Sequence, residues 1–486
     1  MRQVLKNTFL ATLVPIANTF FSLITTKLIA YFLGPLGFSF FSQIKQTLLW
    51  LTSLSTLNGK DSVVKYLEQH RTDGKLPIYV YTIGVIYLFS SLLVFVILSI
   101  GASYWAHLLF NGTTASASTL LILGFINFFA CFSGFFLSLI NGFRDVKRMI
   151  RFQIITNLLS LVSLIPVLIY KDFTYLLLNL LSINVIGFVI GIIWARKNIQ
   201  IDYRNFDFKG SFDKIIAKSH VLYSTTISSV SLLGLFGVIM IRSYYYSISN
   251  TTPYVGYFDA AYSFSTMYLS FLLSSYSVYY FPLLSSKTTQ AEISETVKFY
   301  FNLTVTLMVP LVSFLIVMKP LIIQILFSAH FIGATELLNW LFISDFFKSL
   351  YFVLGLLMLS FADKKTLIVV EFLNIFIVVL ATALFVKDNW LVYGMASLFC
   401  NATYFFYMLY YAKTKHFILF SKNEIFRIVA GAGIIAIFSA LSWSNTSVNL
   451  LILLLWVVAN YLYNYKILNK ERLIMMYHSI KPNKKP

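Results

Sequence analysis

The chain is dominated by apolar segments that are each about as long as a bilayer is thick. An α-helix needs about 20 mostly apolar residues to cross the hydrocarbon core. By this measure we predict fourteen spans, at roughly 8–33, 37–57, 76–100, 119–143, 152–170, 173–195, 221–247, 254–284, 299–318, 337–362, 367–386, 391–412, 428–444 and 448–465. With 58% hydrophobic and 11% charged residues, the composition lies outside the soluble globular range. The prediction is an all-α integral membrane protein.

The distribution of Lys and Arg predicts the orientation. With a cytoplasmic N-terminus, 30 of the 37 Lys and Arg residues fall on the cytoplasmic side, three on the opposite side and four within spans. This asymmetry is the positive-inside signature, so we expect both termini in the cytoplasm. The net charge of +19 is then a feature of topology and does not indicate a nucleic-acid partner. The basic segment after residue 465 is expected to lie on the anionic cytoplasmic leaflet.

The segments between the predicted spans are short, and the longest external loops are expected at about Lys319 to Glu336 and Gly101 to Ser118. The sequence carries no motif of catalysis. It has no paired carboxylates, nucleophile elbow, P-loop or zinc-ligand spacing, and Cys131 and Cys400 fall inside spans. We therefore assign no metal or cofactor and predict that the chain is not an enzyme. A membrane glycosyltransferase or polymerase is the alternative from another class, but the sizeable external loop that would carry its catalytic base is missing.

Four cations lie inside predicted spans: Lys27, Lys45, Arg242 and Lys348. A charge in hydrocarbon is costly, so each of them is a hypothesis about function. No Asp or Glu lies inside the first six spans. The buried charges are therefore mainly positive in this half of the chain, and we expect an anionic group to enter the interior of the protein.

Depth leaves two interpretations open for three of these cations. At about 1.5 Å per residue, Lys27, Lys45 and Arg242 lie about 9, 12 and 8 Å from the outer ends of their spans. Long side chains at such depths can also reach the outer interface by snorkelling.

Helix faces separate the same three residues. Lys27 shares its face with apolar side chains, whereas hydroxyl side chains lie within about 60° of Lys45 and about 40° of Arg242 at 100° per residue. These are Ser42, Thr52 and Thr56 beside Lys45, and Ser224, Ser228 and Ser231 beside Arg242. Such stripes suit a wet cavity wall and suit close helix packing equally well.

Pairing with an acid is a further interpretation. Asp345 lies one helical turn before Lys348, close enough for an ion pair. Asp259 lies at a depth similar to that of Arg242 across a predicted hairpin, where the two would form a gate pair.

One matched element indicates an internal duplication, a common construction in transporters. Lys27 is followed by Pro35 and then by the pair Gly37-Phe38, and Arg242 is followed by Pro253 and then by the pair Gly256-Tyr257. We predict an N-terminal lobe at 1–200, a C-terminal lobe at 201–420, and two further spans with a basic tail at 421–486.

Three stretches of the chain resemble a known family. They are KLIAYFLGPLGFSFFSQIKQ (27–46), NGKDSVVKYLEQ (58–69) and KPLIIQILFSAHFIGA (319–334). They resemble segments of Wzx-type O-antigen flippases, which belong to the polysaccharide-transporter branch of the MOP superfamily. The resemblance implies two six-helix lobes around a central cavity, with two extra helices at the C-terminus.

The resemblance also implies a cargo and a location. The cargo would be an undecaprenyl-pyrophosphate-linked oligosaccharide, moved between the leaflets of the bacterial inner membrane, from cytoplasmic to periplasmic, by alternating access. The four cations would bind the pyrophosphate, supported by a polar face comprising Ser42, Thr52, Ser228 and Ser231. A polysaccharide polymerase and a chain-length regulator are expected partners, and coupling to H⁺ or Na⁺ is not readable from the residues.

Two other transporters of the same superfamily stay open. A multidrug exporter of organic cations would favour buried carboxylates, and the second half of the chain supplies Asp259, Asp345 and Glu371. A lipid II flippase is closer in chemistry, although its arginine-rich first-lobe pattern is missing here.

Overall fold

The computed structural model describes residues 2–72, 75–110, 116–143, 145–199, 212–248, 253–361, 363–441, 452 and 455–458; of these, the side chains of 2–17, 226–230 and a few isolated positions are not described. Over these ranges the chain forms helices and no β-strand. The helices are α1 (Arg2–Thr56), α2 (Lys60–Thr72), α3 (Leu76–Ile100), α4 (Ala102–Phe110), α5 (Ala117–Gly142), α6 (Val146–Tyr170), α7 (Phe173–Asn198), α8 (Lys214–Ile248), α9 (Tyr254–Ser275), α10 (Phe281–Ser285), α11 (Gln290–Leu326), α12 (Ala334–Ser360), α13 (Lys364–Phe385), α14 (Val392–His416) and α15 (Lys422–Leu441).

These helices confirm the predicted all-α membrane architecture. Within the described ranges, ten helices are long and apolar enough to cross a bilayer by length and composition. The first thirteen predicted spans each coincide with helical residues. Most of the fourteenth span and the whole basic tail lie outside the described residues, so the count of fourteen stays a prediction.

The first two spans are joined by a bend in α1 and not by a loop. Gly34 interrupts the helix with φ 66° and ψ −173°. A positive φ is strained for a residue with a Cβ, and Gly adopts it at no steric cost. Pro35 then starts the second arm, where its missing N–H leaves no additional helical bond unmade.

The helical region of the eighth span agrees with its predicted range of 254–284, whereas the end of the ninth span differs from the sequence-based prediction. A π-turn at Tyr276–Tyr280 joins α9 to α10, so the eighth span is continuous through Ser285. The external loop predicted from Lys319 to Glu336 is wrong in extent, because α11 continues through Pro320 to Leu326. The charge and the proline lower the apparent hydropathy there, but Lys319 is a buried helical residue (2% exposed).

The chain divides into two compact units. Unit 1 comprises 1–259, 326–330 and 382–387, and unit 2 comprises 260–325, 331–381 and 388–486. In unit 1, α1 packs against α3, α5, α6 and α8, and α7 packs against α5 and α6. In unit 2, α12 is the central helix and packs against α14 and α15. The predicted lobe boundaries at residues 200 and 420 stay predictions.

An aromatic core holds one end of unit 1 together. Buried Tyr79, Tyr87, Phe135 and Trp194 contribute to it from α3, α5 and α7. Gly59, at the turn between α1 and α2, allows close packing there, since a Cβ on it would lie 2.7 Å from the Tyr87 hydroxyl. The stretch 58–69 is thus a packing motif in which the α1–α2 turn closes onto α3.

Candidate functional site

The bend in α1 positions the first candidate residues. Gly256, in the first turn of α9, lies so close to Pro35 that a Cβ on it would come within 2.5 Å of the Pro35 carbonyl oxygen. Phe38, just after the bend, packs edge-to-face on Phe327 with ring centroids 5.4 Å apart. The two proline turns that the sequence matched to each other are therefore in contact within unit 1, and two of the three resembling stretches pack together.

Arg242 of α8 and Asp259 of α9 form a buried ion pair. The Arg242 Nε and Asp259 Oδ1 atoms are 2.5 Å apart, and the side chains are 4% and 0% exposed. Asp259 Oδ2 accepts no hydrogen bond from the described residues. Because the two charges are shielded from water, the pair neutralises itself and contributes no net charge to the site.

Polar contacts fix α8 against α1 and α4 beside this ion pair. The hydroxyls of Ser39 and Tyr246 are 3.0 Å apart, and Ser243 Oγ donates to the Leu108 carbonyl at 3.3 Å. Gln43 Nε2 donates to the Leu109 carbonyl. These bonds satisfy polar groups that would otherwise be buried without partners, and they hold the three helices together beside the ion pair.

Lys45 is the cation of this region that stays exposed. Its neighbours Ile44 and Thr47 are fully buried, while Lys45 itself is exposed. The Lys45 Nζ lies 5.9 Å from the centroid of the Phe41 ring and within electrostatic range of Arg242. Among the residues that the structure describes, none forms an ion pair with Lys45. With Arg242 paired, Lys45 carries the positive charge of this part of unit 1.

The predicted polar face is less open than the sequence suggested. Ser42 is only 9% exposed. Thr52 is half-buried and donates its hydroxyl to the Leu48 carbonyl at 2.8 Å, within its own helix. Ser231 of α8 is exposed, and the side chain of Ser228 lies outside the described residues. A role for these hydroxyls in binding stays a prediction.

Lys27 lies in the first arm of α1 and is half-buried. A polar chain crosses from the same arm to α6, where Asn18 Nδ2 donates to Gln153 Oε1 at 2.9 Å and Asn157 Nδ2 donates to Asn18 Oδ1 at 2.8 Å. The amide chain thus fixes this arm to α6. The part of Lys27 in substrate binding stays a prediction.

Unit 2 contains the remaining predicted cation, with two acids around it. Asp345 is 3% exposed and accepts hydrogen bonds from Ser265 Oγ and Tyr268 OH, both at 2.7 Å. The charge of Lys348 acts on both Asp345 and Glu371, yet in the described part of the chain Lys348 makes no ion pair within 4.0 Å. Hydroxyls, and not the expected lysine, are therefore the direct partners of Asp345.

One buried cation escaped the sequence-based search. Lys319 was assigned to an external loop, but it is 2% exposed in α11 and donates to Asn339 Oδ1 of α12. Asn339 lies 20 residues further along the chain, so local sequence does not reveal the pair. The sequence does contain one indication that Lys319 is helical: the Lys-Pro dipeptide lies inside a stretch that otherwise continues as an apolar helix.

Solved structures of the same fold are transporters. The lipid II flippase MurJ in an inward closed conformation matches with a TM-score of 0.67 and 12% identity, over 96% of this chain and all of that chain. An inward-facing multidrug resistance transporter of the MATE family, within the MOP superfamily, matches with a TM-score of 0.63 and 13% identity, over 90% and 99% of the two chains. At such identities the likeness concerns the fold. The chain has the fold of a MOP-superfamily membrane transporter.

The sequence comparisons identify the family within that class. The profile described as polysaccharide biosynthesis protein matches residues 4–287, more than half of the 486 residues, and the chain belongs to this family. The lipid III flippase of Escherichia coli (strain K12) is 27% identical over 388 residues, which cover 76% of this chain and 87% of that protein. The lipid III flippase of Shigella flexneri matches equally. Since these relatives are flippases, the prediction that the chain is not an enzyme is confirmed.

Proposed function

We propose that the protein is a flippase for an undecaprenyl-pyrophosphate-linked oligosaccharide, an O-antigen or similar repeat unit, carried from the cytoplasmic to the periplasmic leaflet by alternating access. Membership of the polysaccharide biosynthesis family and the named activity of the lipid III flippases support lipid-linked glycan as the cargo class. The observation that carries the proposal is the state of Lys45. It is exposed between the buried residues Ile44 and Thr47, beside an ion pair that carries no net charge.

Lys45 suits the diphosphate of such a cargo for physical reasons. An ammonium carries three donors, and hydrogen bonds from a charged donor to a charged acceptor are about twice as strong as neutral ones. The buried Arg242–Asp259 ion pair adds no net charge to this site, and we assign it the role of a gate pair that opens during transport.

A lipid III-type glycan lipid is the second candidate cargo, because it is the activity named for the 27% identical relatives. The residues above are proposed to bind a diphosphate, and they do not distinguish the two cargoes. The choice between them depends on the sugar, for which the described side chains offer no specific determinant.

The proposal predicts that Lys45 is required for transport. In a strain lacking the chromosomal gene, the Lys45→Ala variant should restore the surface polysaccharide ladder at least about ten-fold less well than the native chain, since a charge-assisted contact contributes about 1.5–3 kcal/mol. Because Lys45 is exposed, its loss should leave expression and folding unchanged. The measurement is ladder intensity on a gel, normalised to protein in the membrane.

Two control variants frame this experiment. Lys45→Arg keeps the charge and should retain most of the ladder, and Lys387→Ala removes an exposed lysine elsewhere and should have no effect. A full ladder from Lys45→Ala at normal expression would refute the cationic site. An unchanged ladder in the deletion strain, together with raised drug sensitivity, would instead favour a multidrug exporter.

A further inference from the structure

A basic pocket of about 240 Å³ lies where α6 begins and α7 ends, within unit 1. Its cations are Arg148, Arg151 and Lys197, and Trp194 and Ile155 contribute to its apolar wall. None of these residues belongs to the site around Lys45. In the predicted topology both helix ends face the cytoplasm, at the level of the lipid headgroups.

Helical periodicity in both helices builds the pocket. On α6 the lining positions are 148, 151, 152 and 155, and on α7 they are 190, 193, 194, 197 and 198. Both sets follow the i, i+3, i+4, i+7 spacing of a single helix face. The cations lie near the helix ends and the apolar side chains lie deeper. The pocket is therefore polar at its mouth and apolar along its wall.

Arg148 is held in a fixed position at this mouth. Its Nε atom lies 3.1 Å from Asp145 Oδ2, and its Nη1 donates to Asn198 Oδ1 at 2.5 Å. Asn198 in turn donates to the Trp194 carbonyl at 2.7 Å. Arg148 thereby connects the start of α6 to the end of α7. A guanidinium held in place in this way loses little freedom when it binds an anion.

The two other cations of the pocket are exposed, and the indole N–H of one lining residue is buried. Arg151 and Lys197 are exposed, and in the described part of the structure neither takes part in an ion pair. The Trp194 indole Nε1 is buried and donates no hydrogen bond to any described residue, although Trp194 itself is 6% exposed. Buried N–H groups normally have a partner. The three lining cations and Asp145 together carry a net charge of about +2.

We propose that this pocket binds an anionic phospholipid with two phosphate groups, the chemistry of cardiolipin. Basic pockets between transmembrane helices on the cytoplasmic side are suited to such headgroups. The net charge at the mouth matches a lipid with two phosphates better than one with a single phosphate. From Arg148 to Ile155 the wall extends seven residues, about 10 Å at 1.5 Å per residue, so acyl chains leaving the headgroup pass along Ile155, Ile190 and Ile193 into the hydrocarbon.

The test uses the full-length protein purified in a neutral detergent. Binding of cardiolipin, phosphatidylglycerol and undecaprenyl diphosphate is measured by titration for the native chain and for the double variant Arg151→Gln/Lys197→Gln. This variant leaves Arg148 and its structural contacts in place. The matched control is Lys214→Gln/Lys218→Gln, which removes two exposed lysines from the start of α8 in the same unit.

The expected result is tight binding of cardiolipin by the native chain and by the control, with about thirty-fold weaker binding by Arg151→Gln/Lys197→Gln, from about 1 kcal/mol per cation near the membrane surface. Phosphatidylglycerol should bind the native chain more weakly than cardiolipin does, and its affinity should fall less in the double variant. Equal cardiolipin affinity in the double variant, or an equal loss in the control, would overturn the site. Undecaprenyl diphosphate binding that depends on Arg151 and Lys197, without such dependence for cardiolipin, would also overturn it and assign the pocket to the cargo.

Discussion

The two units handle buried charge in opposite ways. In unit 1, one buried arginine meets one buried carboxylate and an exposed lysine is left over, so the set formed by Lys45, Arg242 and Asp259 has an excess of one positive charge. In unit 2, Lys348 lies in the field of Asp345 and Glu371, so the set has an excess of one negative charge when all three groups are ionised. The difference shows that a count of intramembrane cations does not by itself give the sign of a site.

The contrast also separates two ways of stabilising a charge inside a membrane protein. Arg242 and Asp259 depend on each other, so either one alone would be an uncompensated charge in a low-dielectric interior. Asp345 accepts hydrogen bonds from the hydroxyls of Ser265 and Tyr268, and Lys348 acts on it through its charge. Removing the cation should therefore have very different consequences in the two units.

The largest effect is expected from Arg242→Met. This substitution leaves Asp259 buried without its partner, which should lower the free energy of unfolding by about 3–5 kcal/mol. Thermal unfolding of the purified protein in detergent measures the loss. The double variant Arg242→Met/Asp259→Leu removes both charges and should recover most of the stability. If the single variant unfolds within about 1 kcal/mol of the native chain, the pair is not the interdependent unit described above.

The sequence predicted the features that depend on neighbouring residues and missed those that depend on residues far apart in the chain. Apolar segment length predicts spans locally, and Pro35 marks the boundary between the first two spans because its backbone preference is local as well. That Gly34 makes this boundary a bend within one helix was found only in the structure. The contact between Arg242 and Asp259 could be predicted because both residues lie at similar distances from the turn that joins their two helices. The Lys319–Asn339 contact and the exposure of Lys45 depend on helices that are remote in sequence, and no local pattern contains them.

The titration of His220 tests whether the buried titratable groups of unit 1 must be either neutral or paired with an opposite charge. It precedes the predicted seventh span, is fully buried, and its Nδ1 lies 2.9 Å from Ser62 Oγ. Burial lowers the pKa of His220 to about 4, below the ordinary value of about 6.5. The unfolded chain therefore binds a proton that the folded chain does not, and stability should fall by about 3 kcal/mol as the pH drops from above 6.5 to about 4.

The measurement is the unfolding midpoint of the native chain and of His220→Gln across this pH range. Gln can keep a hydrogen bond to Ser62 and does not titrate, so the variant should lose distinctly less stability on acidification. Parallel pH profiles for the two proteins would mean that His220 is not the group responsible.

Gly256→Ala probes the close contact that supports the unit 1 site. The new Cβ would lie within 2.6 Å of three Pro35 atoms, two of them backbone, and such overpacking costs about 1–3 kcal/mol. Gly355→Ala in α12 of unit 2 is the matched control, because nothing lies within 4 Å of its Cβ and alanine favours a helix by about 0.5–1 kcal/mol. Unfolding midpoints should therefore shift in opposite directions. A stabilising Gly256→Ala would mean that the turns at Pro35 and Gly256 are not in contact.

The smallest effect is expected from Lys348→Met in unit 2. Lys348 is half-buried, and Asp345 keeps both of its hydroxyl donors when the lysine is removed, so the loss should be about 1 kcal/mol or less. Its effect on the polysaccharide ladder should also be below about two-fold, far smaller than that of Lys45→Ala, because a site with excess acid is poorly suited to a diphosphate. The same assays used for Arg242→Met and Lys45→Ala measure both quantities. A fall of about 3 kcal/mol in the free energy of unfolding would make Lys348 an essential partner of the two acids. A ladder defect equal to that of Lys45→Ala would place Lys348 in the transport step, and the contrast between the two units would then not hold.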